Sequence, residues 1–180
     1  EKKIPLVLFD RTTPKIATSQ VVIDDFQGAY MATEHLIKQG CRQIVHLTNY
    51  NIVNIYKERF RGYQEALKDH NIPFKQELVC TGDMQLADGR NAVSELVEGE
   101  VEFDGIFSAS DLAATGALQV LKKYGKNVPQ DVAIVGFSNE PFTSFTDPPL
   151  STVDQFPIEM GKTAANLFFE MMNGYEEFVP

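Results

Sequence analysis

The stretch DDFQGAYMATEHLIKQGCRQIVHL, Asp24 to Leu47, reads as one helix feeding one strand. Asp24 is placed to cap a helix running to Gln39, with Ala29, Met31, Leu36 and Ile37 among its apolar residues. Gly40 follows, where a left-handed residue closes a helix. Ile44 to Leu47 is then an apolar run of strand length, so the unit is a helix-to-strand connection of the kind that builds α/β folds.

Outward from this stretch the same alternation continues. Leu6 to Phe9, Val21 to Ile23, Leu78 to Cys80, Gly105 to Phe107 and Val132 to Phe137 read as further strands, and Ser151 to Val153 is strand-like. Continuous apolar strands are buried on both faces, as in parallel sheets whose crossovers are helices. Helices are predicted from Asn54 to His70, Leu86 to Val97, Asp111 as N-cap to Gly125, and Pro157 to Asn173. Tyr56, Phe60, Tyr63 and Leu67 recur at helical spacing and form a core stripe. The expected fold class is α/β with a doubly wound parallel sheet.

Composition narrows the function. A chain of 180 residues with 43% hydrophobic and 23% charged residues can bury a sizeable core. Its 16 Lys and Arg against 25 Asp and Glu give a net charge of -9, which repels a phosphate backbone, so this stretch is not expected to bind DNA by itself. No run approaches the ~18 apolar residues of a membrane span. The start, EKKIPLVLFD, lacks a signal-peptide cleavage pattern and enters an apolar run at once, as expected of a piece cut from something longer.

Two cysteines, Cys41 and Cys80, read as small core residues, and His35, His46 and His70 are too scattered for a metal cluster. None of the 12 glycines forms G-x-G, and G-K-[ST] is absent, which argues against nucleotide cofactors. G-x-S-x-G is absent too, and paired Asp24 and Asp25 sit at a helix start where capping explains them. No cofactor, metal or catalytic residue is expected.

Ligands of parallel α/β sheets bind beyond the carboxyl ends of the strands. There the chain places Asp10 and Arg11, Thr48 and Asn49, Asp83, Ser108 to Asp111, Ser138 and Asn139, and Asp154 and Gln155. Hydroxyls, amides and carboxylates in such a rim suit a neutral polyol or a heteroaromatic base. The same residue types also cap helices and form turns, and for Asp111 the cap is the favoured role.

Six stretches together resemble the effector-binding core of the LacI/GalR family of bacterial transcription regulators. They are IPLVLFDR (Ile4 to Arg11), Asp24 to Leu47, RFRGYQEAL (Arg59 to Leu67), FSASDLAATGALQVL (Phe107 to Leu121), VPQDVAIVGFSN (Val128 to Asn139) and DPPLSTVDQ (Asp147 to Gln155). The resemblance spans nearly the whole chain, in family order. It implies a periplasmic-binding-protein-like type I fold: two doubly wound lobes with a small effector held between them. Residues 1–23 would be a remnant of the amino-terminal lobe, 24–154 a nearly complete carboxy-terminal lobe, and 155–180 the crossover and a helix returning to the first.

The resemblance also implies the site. Asp10 matches an effector-contacting acid, and Arg59, in R-x-x-G-Y with Gly62 and Tyr63, matches the arginine that anchors the effector. A guanidinium offers planar, charge-assisted donors that lysine does not reproduce. The alternative for Arg59 is an exposed helix arginine paired with a neighbour such as Glu58. Ser110, Ser138, Asn139 and Gln155 complete the expected contacts, with Met84 where some members use an aromatic ring. Phe156 and Pro157 add apolar surface.

By the same resemblance the effector is a sugar or related metabolite. Operator DNA is bound by an upstream helix-turn-helix headpiece rather than by this stretch, and the protein is a cytoplasmic homodimer without enzymatic activity. A periplasmic sugar-binding receptor for transport or chemotaxis is the alternative of the same fold, and an α/β enzyme with an unfamiliar site is the third reading.

Overall fold

The computed structural model describes residues 5–13, 15–49 and 54–176. Ile4, the first residue of the IPLVLFDR stretch, and the ends of the predicted 1–23 and 155–180 segments lie outside the described residues. The chain forms two compact units, one of Glu1–Asp24 with Gln155–Pro180 and one of Asp25–Asp154.

In the larger unit, helix α1 (Asp25–Lys38) leads into β3 (Ile44–Thr48), and α2 (Asn54–Asp69) into β4 (Val79–Thr81). Helix α3 (Leu86–Glu98) leads into β5 (Gly105–Ser108), α4 (Asp111–Lys123) into β6 (Ala133–Ser138), and β7 (Ser151–Asp154) completes the set. The strands form one parallel sheet in the order β4-β3-β5-β6-β7. The crossover by α2 runs to one side of β3 and the next two run to the other. Right-handed crossovers therefore place α1 and α2 on one face and α3 and α4 on the other, as the pairing of these helices shows. The sheet is doubly wound, with its order reversing between β3 and β5.

Strand alternation gives the two faces different contents. Val45, Leu47, Ile106 and Ile134 join Val93, Leu96, Ala117 and Leu121 in an aliphatic core on the α3/α4 face. Ile44, His46, Thr48, Phe107 and Phe137 alternate with them and face α1 and α2. Gly62 lets α1 and α2 close, because a Cβ there would lie 2.3 Å from the Phe26 carbonyl oxygen.

The smaller unit holds β1 (Val7–Phe9) and β2 (Ser19–Val21), paired in parallel, against α5 (Pro157–Glu176). Phe156, Ile158 and Phe169 in this unit are exposed.

Several boundaries differ from the sequence reading. The second strand is Ser19–Val21 rather than Val21 to Ile23, because the register pairs Val7 with Ser19 and Phe9 with Val21. The apolar Val22 and Ile23 lie past that ladder. A short 3-10 helix at Gln76–Leu78 takes up Leu78, so β4 starts at Val79. Helix α5 continues past Asn173 and through Gly174 to Glu176.

The cap of α4 is Ser110, not Asp111. Ser110 has extended φ and ψ of -156 and 139, and its hydroxyl accepts the Leu112 N–H at 3.2 Å. Asp111 is the first helical residue, with its carboxylate free to turn inward.

Candidate functional site

The R-x-x-G-Y pattern is explained one residue at a time along α2. Tyr63 is buried, and its hydroxyl donates to the Ile44 carbonyl at 2.8 Å, tying the helix to β3. Gly62 abuts α1. Arg59, one turn earlier on the Tyr63 side, enters the space where the strand order reverses, beyond the carboxyl end of β5.

Arg59 is only 2% exposed, which excludes the exposed, Glu58-paired alternative; Glu58 pairs with Arg61 instead. The Arg59 Nε donates to Asp25 Oδ1 at 2.8 Å and Nη1 to the Ala109 carbonyl at 2.8 Å. The guanidinium lies 3.6 Å over the Phe137 ring. Asp25 is itself buried at the first turn of α1, where the helix dipole favours a carboxylate. A charge buried this deeply needs such a set of partners, because desolvation otherwise outweighs the attraction. Arg59 therefore joins α1, α2, β5 and β6 beneath the carboxyl edge.

Next to it, His46 is enclosed between rings. Its imidazole lies 4.8 Å from Tyr63 and from Phe107, at interplanar angles of 18° and 11°, with Phe60 at 5.8 Å. Burial pushes the imidazole down to about 3, and the Arg59 charge adds to that shift. The neutral ring carries its proton on Nδ1, a tautomer assigned from the Phe107 carbonyl it meets at 3.1 Å. The opposite nitrogen, Nε2, and Thr48 Oγ1 are both buried and meet no hydrogen-bond partner.

At the other side of the edge, Ser138 ends β6 and Asn139 follows it, with φ of 132 and 54, in the region that disfavours side chains. The Asn139 N–H donates to Thr152 Oγ1 at 3.1 Å, and its side-chain Nδ2 donates to Asp154 Oδ2 at 3.0 Å. Thr152 Oγ1 in turn donates to Asp111 Oδ1 at 2.7 Å, and the Glu140 N–H donates to Asp111 Oδ2 at 2.9 Å. Burial raises the Asp111 carboxyl above the usual range, against these hydrogen bonds. The carboxylate sits over the bare backbone of Gly136, where a Cβ would come within 2.1 Å of it.

The predicted contacts fall into distinct places. Arg59, Ser138 and Asn139 lie at the carboxyl edge of the large sheet, and Asp154 joins them there. Ser110 is also at this edge, with its hydroxyl engaged as the α4 cap and as donor to the Met84 carbonyl at 3.0 Å. Met84 lies elsewhere than expected: its side chain is 3% exposed and packs in the aliphatic core, so it offers no ring substitute to a ligand. Its backbone, at φ 61, is left-handed.

Asp10 and Gln155 belong to the smaller unit. Asp10 follows β1 with φ 60, its N–H donates to the Val21 carbonyl at 3.0 Å, and its carboxylate stands 3.7 Å from Arg11 Nε. Gln155 is half-buried. Asp10, Met84, Ser138, Asn139 and Phe156 share a trait: all have positive φ within three residues of a strand's carboxyl end. Strained backbone of this kind gathers where ligands are received.

Asp25, Phe137, Thr152 and Asp111 carry this geometry and were not singled out as site residues by sequence. For Asp25, the sequence offered only its place at a helix start, which capping already explained. Among the described residues no cluster of three or more His, Cys, Asp or Glu is arranged to hold a metal. A groove of about 570 Å³ at the opposite, amino end of the sheet passes Cys41, Asp104, Val128 and Pro148. Its polar groups serve the fold: Asp104 accepts the Arg42 and Gln43 N–H groups at 2.8 Å, and burial pushes the Cys41 thiol up to about 11.

The sequence profile of the periplasmic binding protein-like domain matches residues 33–178. The chain belongs to that family. Within this periplasmic binding protein-like family, it is similar to the HTH-type transcriptional repressor PurR of Actinobacillus pleuropneumoniae, with 32% identity over 167 residues, 93% of this chain and 50% of the relative. A regulatory protein of the LacI family from Chloroflexus aggregans superposes with a TM-score of 0.89 at 29% identity, covering 96% of this chain and 62% of that one. A transcriptional regulator CelR in complex with cellobiose gives 0.87 at 33% identity, covering 94% and 52%. The resemblance to the LacI/GalR effector-binding core thus holds over nearly the whole chain, and so does the periplasmic-binding-protein-like α/β class. The chain spans about half the length of the curated relatives it matches.

Proposed function

We propose that this chain is the effector-sensing core of a LacI-family transcription regulator. It binds a small neutral metabolite, a sugar or sugar derivative, and through it controls DNA binding by a helix-turn-helix headpiece elsewhere in the protein. The observation that carries the reading is the carboxyl edge of the large sheet. There a buried, forked cation and a strained turn bearing Ser138, Asn139 and Asp154 converge, in a chain similar to a regulator solved with cellobiose. Donors and acceptors fixed in place suit a polyhydroxylated ligand.

In this reading Asp25–Asp154 is the carboxy-terminal lobe, and residues 1–24 and 155–180 belong to the amino-terminal one. In the larger unit Arg59, Ser138, Asn139 and Asp154 receive the effector, and Asp10 and Gln155 are the contacts expected of the smaller unit. Ser110 and Met84 support the edge from below. The protein works as a homodimer in the cytoplasm, catalyses nothing and uses no cofactor. The names of its relatives, regulators rather than enzymes or receptors, support the regulator over the periplasmic alternative. No helix among the described residues is long and apolar enough to cross a membrane.

The mechanism is differential binding. An effector that prefers one arrangement of the protein shifts the population toward it and so changes operator affinity. The test is fluorescence anisotropy of operator DNA with the full natural protein, titrated with cellobiose and D-ribose. The expected result is a shift in DNA affinity with at least one sugar, weakened about tenfold in sugar concentration by Arg59→Lys, which keeps the charge and loses the fork. DNA affinity indifferent to both sugars would overturn the sugar-sensing reading.

A further inference from the structure

Asp111 is a buried carboxylate without an obvious local duty. It is 1% exposed at the start of α4, and the capping it was expected to supply comes from Ser110. A buried charge survives only where it is satisfied by hydrogen bonds, and those of Asp111 reach away from its own helix. Oδ2 accepts the Glu140 N–H at 2.9 Å, and Oδ1 accepts Thr152 Oγ1 at 2.7 Å. That hydroxyl, its proton committed to Asp111, presents its lone pairs to the Asn139 N–H at 3.1 Å. Asn139 then reaches Asp154 through its side chain at 3.0 Å.

The chain of contacts therefore brackets the two residues whose backbone is least favourable, Ser138 and Asn139, from both sides. Two successive non-glycine residues with positive φ persist only where their surroundings over-determine them. The missing Cβ of Gly136 makes room for the carboxylate that does so.

We propose that Asp111 is a positioning residue for the effector site: through Thr152 and the Glu140 amide it holds the Ser138–Asn139 turn in its receiving conformation. The carboxylate does not touch the effector. It acts by pre-organisation, removing the ordering cost that a loose turn would impose on binding. The inference rests on the proposed sensing function, and the assignment of the turn to Asp111 can be read separately from it.

The experiment compares the natural full-length protein with Asp111→Asn, Thr152→Val and Thr152→Ser. Hydrogen exchange is followed by mass spectrometry, and cellobiose and D-ribose binding by calorimetry. Asp111→Asn keeps the shape and loses an acceptor. Thr152→Val removes the relay hydroxyl, and Thr152→Ser restores it.

In Asp111→Asn and Thr152→Val, peptides covering Asn139 and Glu140 should exchange about tenfold faster, with those of α2 and β5 unchanged. Sugar affinity should fall about tenfold, and Thr152→Ser should recover both. Leu121→Ala, a destabilising change in the aliphatic core, should leave the affinity alone, and Asp111→Asn would do the same if its role were merely structural. Unaltered exchange at Asn139 and Glu140 in Thr152→Val overturns the proposal, as does an affinity loss that Thr152→Ser fails to rescue. If the parent protein binds neither sugar, the sugar-sensing reading falls, and the exchange result still decides the assignment of the turn.

Discussion

The two faces of the large sheet are built on opposite principles. Against α3 and α4 the core is aliphatic and small: Val45, Leu47, Val93, Ile106, Ala117 and Leu121. Against α1 and α2 the same strands, one residue out of phase, present His46, Thr48, Phe107 and Phe137 to Arg59, Tyr63 and Asp25. Burial is equally complete on both sides. The aliphatic face stabilises by area removed from water, about 25 cal/mol per Å², and tolerates little else. The other face keeps an ion pair, an imidazole and a hydroxyl away from solvent, each of which costs stability unless partnered. The α3/α4 face also buries polar groups, Ser108 and Asp111, but only at the carboxyl rim, whereas the α1/α2 face carries its ion pair and imidazole into the core beneath that rim.

The largest effect is expected at Arg59. Replacing it with alanine leaves Asp25 buried without its cation, and breaking a buried pair costs about 3–5 kcal/mol. Urea denaturation should show this loss, with Asp25→Ala similar and the double variant clearly less than additive. The variant therefore reports on folding as much as on effector contact. A cost below about 1 kcal/mol would mean that the pair is solvated, and the contrast between the faces would collapse.

Leu121→Ala probes the aliphatic face. A cavity in a fully buried site should cost about 2–5 kcal/mol. Measured by the same denaturation, that cost should be flat between pH 5 and 8.

His46 sharpens the comparison through pH. Its folded pKa of about 3 is lower than the ordinary 6.5, so below pH 6.5 the unfolded chain takes up a proton that the folded one refuses. The contribution of His46 is fully present above 6.5 and is lost as pH falls, at up to about 1.4 kcal/mol per pH unit. His46→Phe should remove that slope, so that the variant gains about 2 kcal/mol on the parent between pH 6.5 and 5. Parallel stability curves would show the ring to be accessible to protons.

The smallest effect has the opposite sign. Thr48→Val deletes a buried hydroxyl that meets no partner while keeping its shape, and thermal unfolding should show a gain of about 1 kcal/mol or less. A loss would mean that the hydroxyl is hydrogen-bonded in solution.

Much of the fold was legible because strands and helices announce themselves locally. Val132 to Phe137 is a continuous apolar run, and the structure moves its strand by a single residue at each end. Val21 to Ile23 is as apolar, yet the strand lies two residues earlier, because β1 sets the register. Ser110 and Asp111 are both good caps, and composition alone does not rank them; the extended φ and ψ of Ser110 do. The position of Arg59 was readable from its pattern with Gly62 and Tyr63. Its burial was not, since a helix arginine with Glu58 beside it looks solvated until its partners are placed. Met84 was assigned by position along the chain to the rim, and packing turned it into the core.

The sequence by itself determined the α/β class, the order of its elements, the want of a catalytic or metal motif, and the family of its core. These follow from periodicity, capping residues and short motifs, all properties of neighbours along the chain. Only the tertiary structure decided that Arg59 meets Asp25 34 positions away and Ala109 50 positions away, and that Asp111 meets Thr152 across 41. Such pairings depend on strand order and on which face each residue turns to. A buried polar group selects its partner from whatever the sheet brings within about 3 Å, and the local pattern does not encode that distance.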